Sequence, residues 1–469
     1  MDEGVRRRQR QLDAVRRRLS EQTRRAVVLH RISHRSCGTA SGTVFLVSRA
    51  LSIVVAVHDV EAWVADCLLS VAEHAPEDAE VIVVDDGSTD SSGVICDEVA
   101  DGRVGWRVIH QSNAGLGAVR NLGMDLATGE YVGFIDGDDT LLPAYAQMLM
   151  AARRGGLDIA TGAVQRTDGS RSWVSGLHAR ALGSLGDAAT MTQSPSMVYD
   201  TTAWNKVYRR SFLQGHALRF PEGVLYEDLP FTIPALYFAG EVAIVHDPVY
   251  AWRTRQQGLS ITQRRHEIRN LQDRFAAIWQ VDDFLEAQGQ HALRLAHDDK
   301  VLRLDLPLYT SALPEADEDY RTAYLTSFRR LVADLPLERR SALPPTLRLY
   351  LELAAAGRMD DLIAAAVVRR GPRAWAQDHR TLGQRARQAA AIHRVEMELG
   401  LISPSKVARR TLSNIVKPLL SPRLTRALNV MRRRPVTGSG SGGVRSGAGS
   451  LSHADEQSSE TTQRQGKDQ

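Results

Sequence analysis

The chain is short of cysteine, of long apolar runs and of net charge, and each shortage removes a class of protein. Its 469 residues include three cysteines, Cys37, Cys67 and Cys96. An odd number with no C-x-x-C pair argues against a disulfide scaffold or a zinc knuckle and makes a reducing, cytoplasmic setting the default. No stretch reaches the ~18 apolar residues that a membrane-crossing helix needs. The N-terminus is arginine-rich but lacks an apolar core followed by a small-residue cleavage site, so it does not read as a secretory signal. A net charge of +4 is modest, and a hydrophobic content of 43% with 24% charged residues is that of an ordinary globular protein. The length allows about two or three domains.

The positive charge is unevenly spread. Arginines from Arg6 to Arg35 face only Asp2, Glu3, Asp13 and Glu21, and a second basic block runs from Lys406 to Arg434. Residues 1–48 read as a basic amphipathic helix (5–32) and a small-residue linker. Two basic ends suggest an anionic surface; an anionic membrane is the expectation here and nucleic acid is not. From Val436 to Gln469 the chain is rich in Gly, Ser and Gln, and 435–469 reads as a disordered tail.

Between these ends, short apolar runs alternate with helical spacing. Leu51 to Val57 reads as a buried strand, followed by a helix over Glu61 to Ala75. Val81 to Val84 runs into Asp85-Asp86-Gly87-Ser88-Thr89-Asp90, where Thr89 or Asp90 caps the next helix. Val104 to Ile109 is a third strand, Asn113 to Gly117 a turn, and Ala118 to Ala127 a helix. Strand 131–135 then enters Asp136-Gly137-Asp138-Asp139. The alternation predicts an α/β fold, its central sheet mostly parallel with helices on both faces. A parallel strand ending in carboxylates aims them at the edge where open α/β sheets bind ligands. Asp136 and Asp138, two apart, suit Mg²⁺ or Mn²⁺ completed by substrate phosphates. The Gly115-x-Gly117 pair is no dinucleotide fingerprint, because Arg120 stands where the third glycine belongs and the turn follows a third strand.

Taken together, Leu51–Val57, Val83 to Asp90, Asn113 to Asn121 and Phe134 to Asp139 resemble family 2 of the inverting glycosyltransferases, the GT-A fold. Trp204 to Arg210, Tyr226-Glu227-Asp228-Leu229-Pro230-Phe231 and Pro248 to Arg255 resemble its acceptor-side half, in members acting on teichoic-acid-like polyol phosphates and surface polysaccharides. The resemblance covers about 49–262, which is taken as the catalytic domain. It implies a hexosyl- or N-acetylhexosaminyl-transferase using a nucleotide-sugar donor, a UDP-sugar above others, and a glycan or polyol-phosphate acceptor. It also implies Mn²⁺ or Mg²⁺ on Asp138 and Asp136. Donor contacts would fall to Val57, Asp59, Glu61, Asp86, Arg120 and Asp136. Asp228 would be the base that takes the acceptor proton, with Glu227 beside it, and Lys206, Arg253 and Arg255 would meet an anionic acceptor or the diphosphate. One departure is His58, in the Ala56-Val57-His58-Asp59 stretch, where the family commonly has an aromatic beside the base. Two other readings stay open on the residues alone: a catalytically inactive nucleotide-binding or membrane-associated protein, and a nucleotidyl or phosphoryl transferase.

Beyond Thr262, Ile268, Leu271, Phe275, Ile278, Val281 and Leu285 recur at helical spacing. Further amphipathic segments lie at Tyr324–Leu335, Leu347–Ala356, Asp360–Val368 and Thr381–Leu399. Residues 263–434 therefore read as a helical appendage with a basic amphipathic end and no catalytic constellation.

Overall fold

The computed structural model describes residues 49–255, 261–333, 335–369 and 390–397. The expected basic helix 5–32, the block from Lys406 to Arg434 and the 435–469 tail lie outside these residues.

The first half follows the alternation read from the sequence. In chain order it runs β1 (Leu51–Val57), α1 (Val64–His74), β2 (Glu80–Asp86), α2 (Ser92–Ala100), β3 (Trp106–Gln111), α3 (Leu116–Leu126) and β4 (Tyr131–Asp136). These strands pair in parallel in the order β3-β2-β1-β4. Ala56 of β1 lies opposite both Val84 and Asp136, so the acidic ends of β2 and β4 flank the end of β1. Val, Ile and Phe side chains point to both faces of β1, β2 and β4 and are almost wholly buried, as strands covered by helices on both sides require, while the edge strand β3 is only partly buried. The helix after β2 starts one or two residues later than expected. Its cap position is Ser91, and Asp90 instead accepts the Ser92 N–H at 2.8 Å.

The second half is not parallel. It continues through β5 (Thr140–Leu141), α4 (Tyr145–Gly155), β6 (Ile159–Thr167), β7 (Ser172–Val174), α5 (Gly176–Leu182), β8 (Ala188–Thr190), a 3₁₀ turn at Pro195–Tyr199, β9 (Lys206–Arg209), α6 (Arg210–Gly215), α7 (Asp228–Phe238) and β10 (Glu241–Arg253). Strand β9 inserts antiparallel between β4 and β6, while β10 runs parallel to β6 and antiparallel to β5. The sheet is therefore mixed. Its two halves bring the end of β4 and the far end of β10 together, with Tyr250 opposite Leu141.

Among the described residues, helices α8 (Ile268–Ala287), α9 (His291–Thr310), α10 (Glu318–Ala333), α11 (Leu337–Ala342), α12 (Pro345–Ala355) and α13 (Met359–Arg369) follow. Residue 262 ends the sheet but not the core. Phe134, Phe231 and Leu236 belong to one continuous buried cluster with Leu271, Phe275, Ile278, Tyr309 and Phe328. The appendage expected from sequence is packed onto the catalytic half, because α7 is apolar on every side and needs cover on its outer face. Helix α9 was not foreseen at all. It buries His297, Asp298, Lys300 and Asp305 among its apolar residues, which erases the periodicity that would announce it.

A shared core predicts shared unfolding. Phe275 is fully buried against Phe328 at 4.8 Å, and Phe275→Ala should cost about 3–5 kcal/mol. Calorimetry should show the sheet and the helices melting in a single transition at a lower temperature. A separate helical transition that alone responds would show two independent cores.

Candidate active site

The site is assembled around one buried arginine. Gly115 stands at the N-cap of α3 with φ +90°, a conformation that favours glycine. Gly117 leaves room for the Pro221 carbonyl, which a Cβ there would strike. The tight turn lets α3 pack closely on the acceptor-side loop and carries Arg120 inward, where only 2% of it is exposed. Its Nη2 donates to Asp136 Oδ1 at 2.7 Å and its Nη1 to Glu227 Oε1 at 2.6 Å. Burial alone would lower the guanidinium's proton affinity, but Asp136 and Glu227 outweigh it and hold the charge. Arg120 thus ties the end of β4 to the start of α7, residues 107 apart in the chain from Arg120 to Glu227. It is not available to lie along a donor diphosphate, one of the two roles sequence allowed it.

Glu227 and Asp228 begin α7, yet no side chain caps that helix, so helix capping does not account for the pair. Burial pushes the Glu227 carboxyl up to about 7 against the pull of Arg120, and Asp228 adds to the rise. Burial raises Asp228 as well, opposed by Arg120, Arg274 and Lys300. Among the described residues, no hydrogen bond falls on the Asp228 carboxylate, which is partly open to solvent.

The acidic turn after β4 is built by β10. Tyr250 Oη donates to Asp139 Oδ2 at 2.9 Å and accepts the Asp136 N–H at 3.2 Å. Arg253 N–H donates to Asp139 Oδ1 at 2.7 Å and its Nε to the Asp138 carbonyl at 2.9 Å. Burial drives the Asp139 carboxyl well above the ordinary range, with Asp138 and Asp136 adding to it. Arg255 Nε donates to Asp138 Oδ2 at 2.6 Å while its guanidinium sits 5.1 Å over the Trp63 ring. Arg253 and Arg255, expected at an acceptor or diphosphate, instead hold the turn that carries Asp138. Tyr250 and Asp139 were quoted in the sequence motifs without a role; their pairing is long-range and only the fold reveals it.

Asp136 and Asp138 each give one oxygen to an arginine, and among the described residues no hydrogen bond falls on the other oxygen of either. Hard carboxylate oxygens at a strand end fit a divalent cation held by one or two side chains. Among the described residues no group of three His, Cys, Asp or Glu side chains could enclose an ion alone.

The donor-side residues are largely engaged with each other. Asp86 is 4% exposed and accepts from Ala114 N at 2.8 Å, Gly115 N at 2.9 Å and Gln111 Nε2 at 2.7 Å. Asp59, with φ +48°, accepts the Thr89 N–H at 2.7 Å. Glu61 Oε2 accepts the Ser91 N–H at 3.0 Å, and the Glu61 N–H donates to Asp90 at 3.0 Å. Asp59, Glu61 and Asp90 zip the loop after β1 to the loop after β2, and Asp86 ties the end of β2 to the turn before α3. The Val57 side chain is buried in the core, so that residue can offer a ligand only its backbone. His58 Nδ1 donates to the Asp86 carbonyl at 2.9 Å.

Lys206 is removed from the site. It is fully buried, with Nζ 2.7 Å from Asp200 Oδ1, 2.7 Å from the Thr202 carbonyl and 2.9 Å from Asn205 Oδ1. A lysine in an interior polar network cannot meet an acceptor or diphosphate, and the sequence carries no sign that Asp200 is its partner.

A mixed sheet with this acidic turn at the end of β4 and a carboxylate pair across from it defines a GT-A glycosyltransferase fold. Residues 52–216 match the family described as glycosyl transferase family 2. EpsH of Bacillus subtilis, named as a glycosyltransferase, is 35% identical over 229 residues, 46% of this chain and 63% of that protein. The poly(ribitol-phosphate) beta-glucosyltransferase of Bacillus spizizenii is 27% identical over 214 residues, 44% of this chain and 33% of its own length. The chain spans under two thirds of these curated relatives. Residues 1–349 of S. aureus TarS, solved with UDP-GlcNAc, superpose with a TM-score of 0.51 at 19% identity, covering 68% of this chain and 91% of that one.

Arg120 can be tested directly. Removing one partner of a buried ion cluster typically costs about 3–5 kcal/mol, so Arg120→Met should destabilise by roughly that amount in denaturant titrations. Arg120→Lys should not restore it, since an ammonium cannot span both carboxylates in a planar fork.

Proposed function

We propose that the protein is an inverting glycosyltransferase that moves a sugar from a nucleoside-diphosphate sugar to a hydroxyl of a surface polysaccharide or polyol-phosphate acceptor. The observation that carries this reading is the Arg120 bridge, which sets Asp136 and the Glu227–Asp228 pair around one point. UDP-GlcNAc in the TarS crystals supports a UDP-sugar donor. The ribitol-phosphate relative supports an anionic polyol acceptor.

In this reading the loops after β1 and β2 bind the nucleotide, with the zipped Asp59, Glu61 and Asp86 giving the pocket its shape. Asp138 and Asp136 would hold Mn²⁺ or Mg²⁺, which when bound supplies Lewis-acid neutralisation of the leaving diphosphate. Arg253 and Arg255 keep Asp138 in place. Asp228 lies on the acceptor side, takes the hydroxyl proton as that oxygen attacks the anomeric carbon, and needs to be ionised to do so. Glu227, spent on Arg120, orients the pair.

General base catalysis contributes about 10²–10⁴-fold. Asp228→Asn should therefore slow transfer by about that factor while the dissociation constant for UDP-GlcNAc stays unchanged. Parallel loss of donor binding would assign Asp228 to the donor pocket instead. The pH profile carries a sign. Burial raises the Asp228 carboxyl, so the active, ionised form is lost as pH falls through that raised value. The acid limb should sit above the ordinary carboxylate range, about pH 4, and should vanish in Asp228→Asn.

The basic ends hold the enzyme peripherally on the cytoplasmic face of an anionic membrane in this reading. Among the described residues, no helix is long and apolar enough to cross one. Flotation with phosphatidylserine vesicles should show binding that weakens as salt rises. Replacing Arg16, Arg17, Arg18, Arg24 and Arg25 by Gln should reduce it. Binding that ignores both salt and these substitutions would refute the assignment.

A further inference from the structure

The Glu227–Asp228 pair is reached from behind by helices outside the family match. Tyr226, just before it, has φ +63°, a left-handed conformation that an aromatic residue adopts only when its surroundings impose it. What imposes it comes from α8 and α9. Tyr226 Oη donates to Asn270 Oδ1 at 3.0 Å, and Tyr309 Oη donates to the same oxygen at 2.9 Å. The Arg274 guanidinium lies 4.8 Å over the Tyr226 ring and donates Nε to Asp305 Oδ1 at 2.8 Å, which fixes its height. Lys300 stands beside it, 1% exposed, with Nζ donating weakly to Thr201 Oγ1 at 3.5 Å.

A buried lysine with so slight a partner is unusual. The charges around it explain its place. Asp228, Asp200 and Asp305 attract it, and Arg274 repels it. Around Asp228 the cations are Arg120 from α3, Arg274 from α8, Lys300 from α9 and Lys206 from β9, set against the carboxylate of Asp136 on β4 and that of the adjoining Glu227. Burial pulls Lys300 down to about 7, so it carries its charge on the acid side of neutrality.

We propose that the helical region is part of the acceptor side of the active site. Asn270, Arg274, Tyr309 and Lys300 act as positioning residues: they clamp Tyr226 in its left-handed turn and keep positive charge behind Asp228. None of the four touches the reacting atoms. This rests on the reading of Asp228 as the base, which supplies the reason its charge has to be secured. The arrangement also explains why α9 carries polar residues inward at the expense of apolar periodicity, and why the core continues past residue 262.

The test is a carbon-13 NMR titration of the full-length protein labelled at aspartate carboxyl carbons, with the Asp228 resonance identified by its loss in Asp228→Asn. Lys300→Met removes the charge but keeps the length, and should raise the Asp228 midpoint by about one pH unit, a tenfold tighter hold on its proton. Arg274→Met should act in the same direction, and Lys300→Arg should stay near wild type. A purely structural role would lower the melting temperature without moving the midpoint. An unmoved midpoint in folded Lys300→Met and Arg274→Met overturns the proposal. Failure of Lys300→Met, Lys300→Gln and Arg274→Met alike to fold assigns these cations to the fold alone and overturns it too. Failure of the base reading looks different: Asp228→Asn would then retain its transfer rate, whatever the titration shows.

Discussion

Arg120 is the constraint on which the rest of the site depends. Its two hydrogen bonds join the parallel half of the sheet to the first turn of α7 in a place water barely reaches. In a low-dielectric interior an arginine between two carboxylates is strongly held, and an uncompensated charge there would be costly. The geometry that gives Asp136 and Glu227 their positions is therefore also a condition of folding.

From that bridge the carboxylates divide into those that build and those that remain open. Asp59, Glu61 and Asp86 are used to tie loops together, and Asp139 is locked by Tyr250 and Arg253. Asp136, Asp138 and Asp228 each keep an oxygen on which no hydrogen bond falls among the described residues. A site that looks uniformly acidic in sequence is left with a few open acceptors, because much of its negative charge is answered by backbone N–H groups and arginines. Hydrogen bonds from those groups favour the charged form and fix its direction.

The helical region repeats this logic in reverse. It answers the negative charge of Asp228 with Arg274 and Lys300, and buries apolar α7 in exchange for its own exposed face. Its polar interior residues are costly unless paired. Arg274 with Asp305, and His297 with Asp282 at 2.8 Å, show how α8 and α9 satisfy each other.

The Glu227–Asp228 pair was singled out by the family resemblance; the parallel strands β1, β2 and β4 and the acidic turn at Asp136 to Asp139 were legible in the chain itself. These strands and their turn are written in local signals: runs of Val and Ile for a sheet buried on both faces, and turn residues after them. The mixed second half was not legible, because β9 and β10 owe their partners to strands far away in sequence and have no period of their own. Helix α9 was hidden by the charged residues it turns inward. Lys206 was misread for the same reason, since a lysine looks alike in sequence whether it faces solvent or Asp200. Composition, periodicity and spacing determined the fold class and pointed to the carboxylates of the acidic turn, while the family resemblance pointed to Asp228. Tertiary structure alone decided which of those carboxylates are spent on arginines and turns, because that choice depends on pairings between residues 16 to 117 apart that no local pattern records.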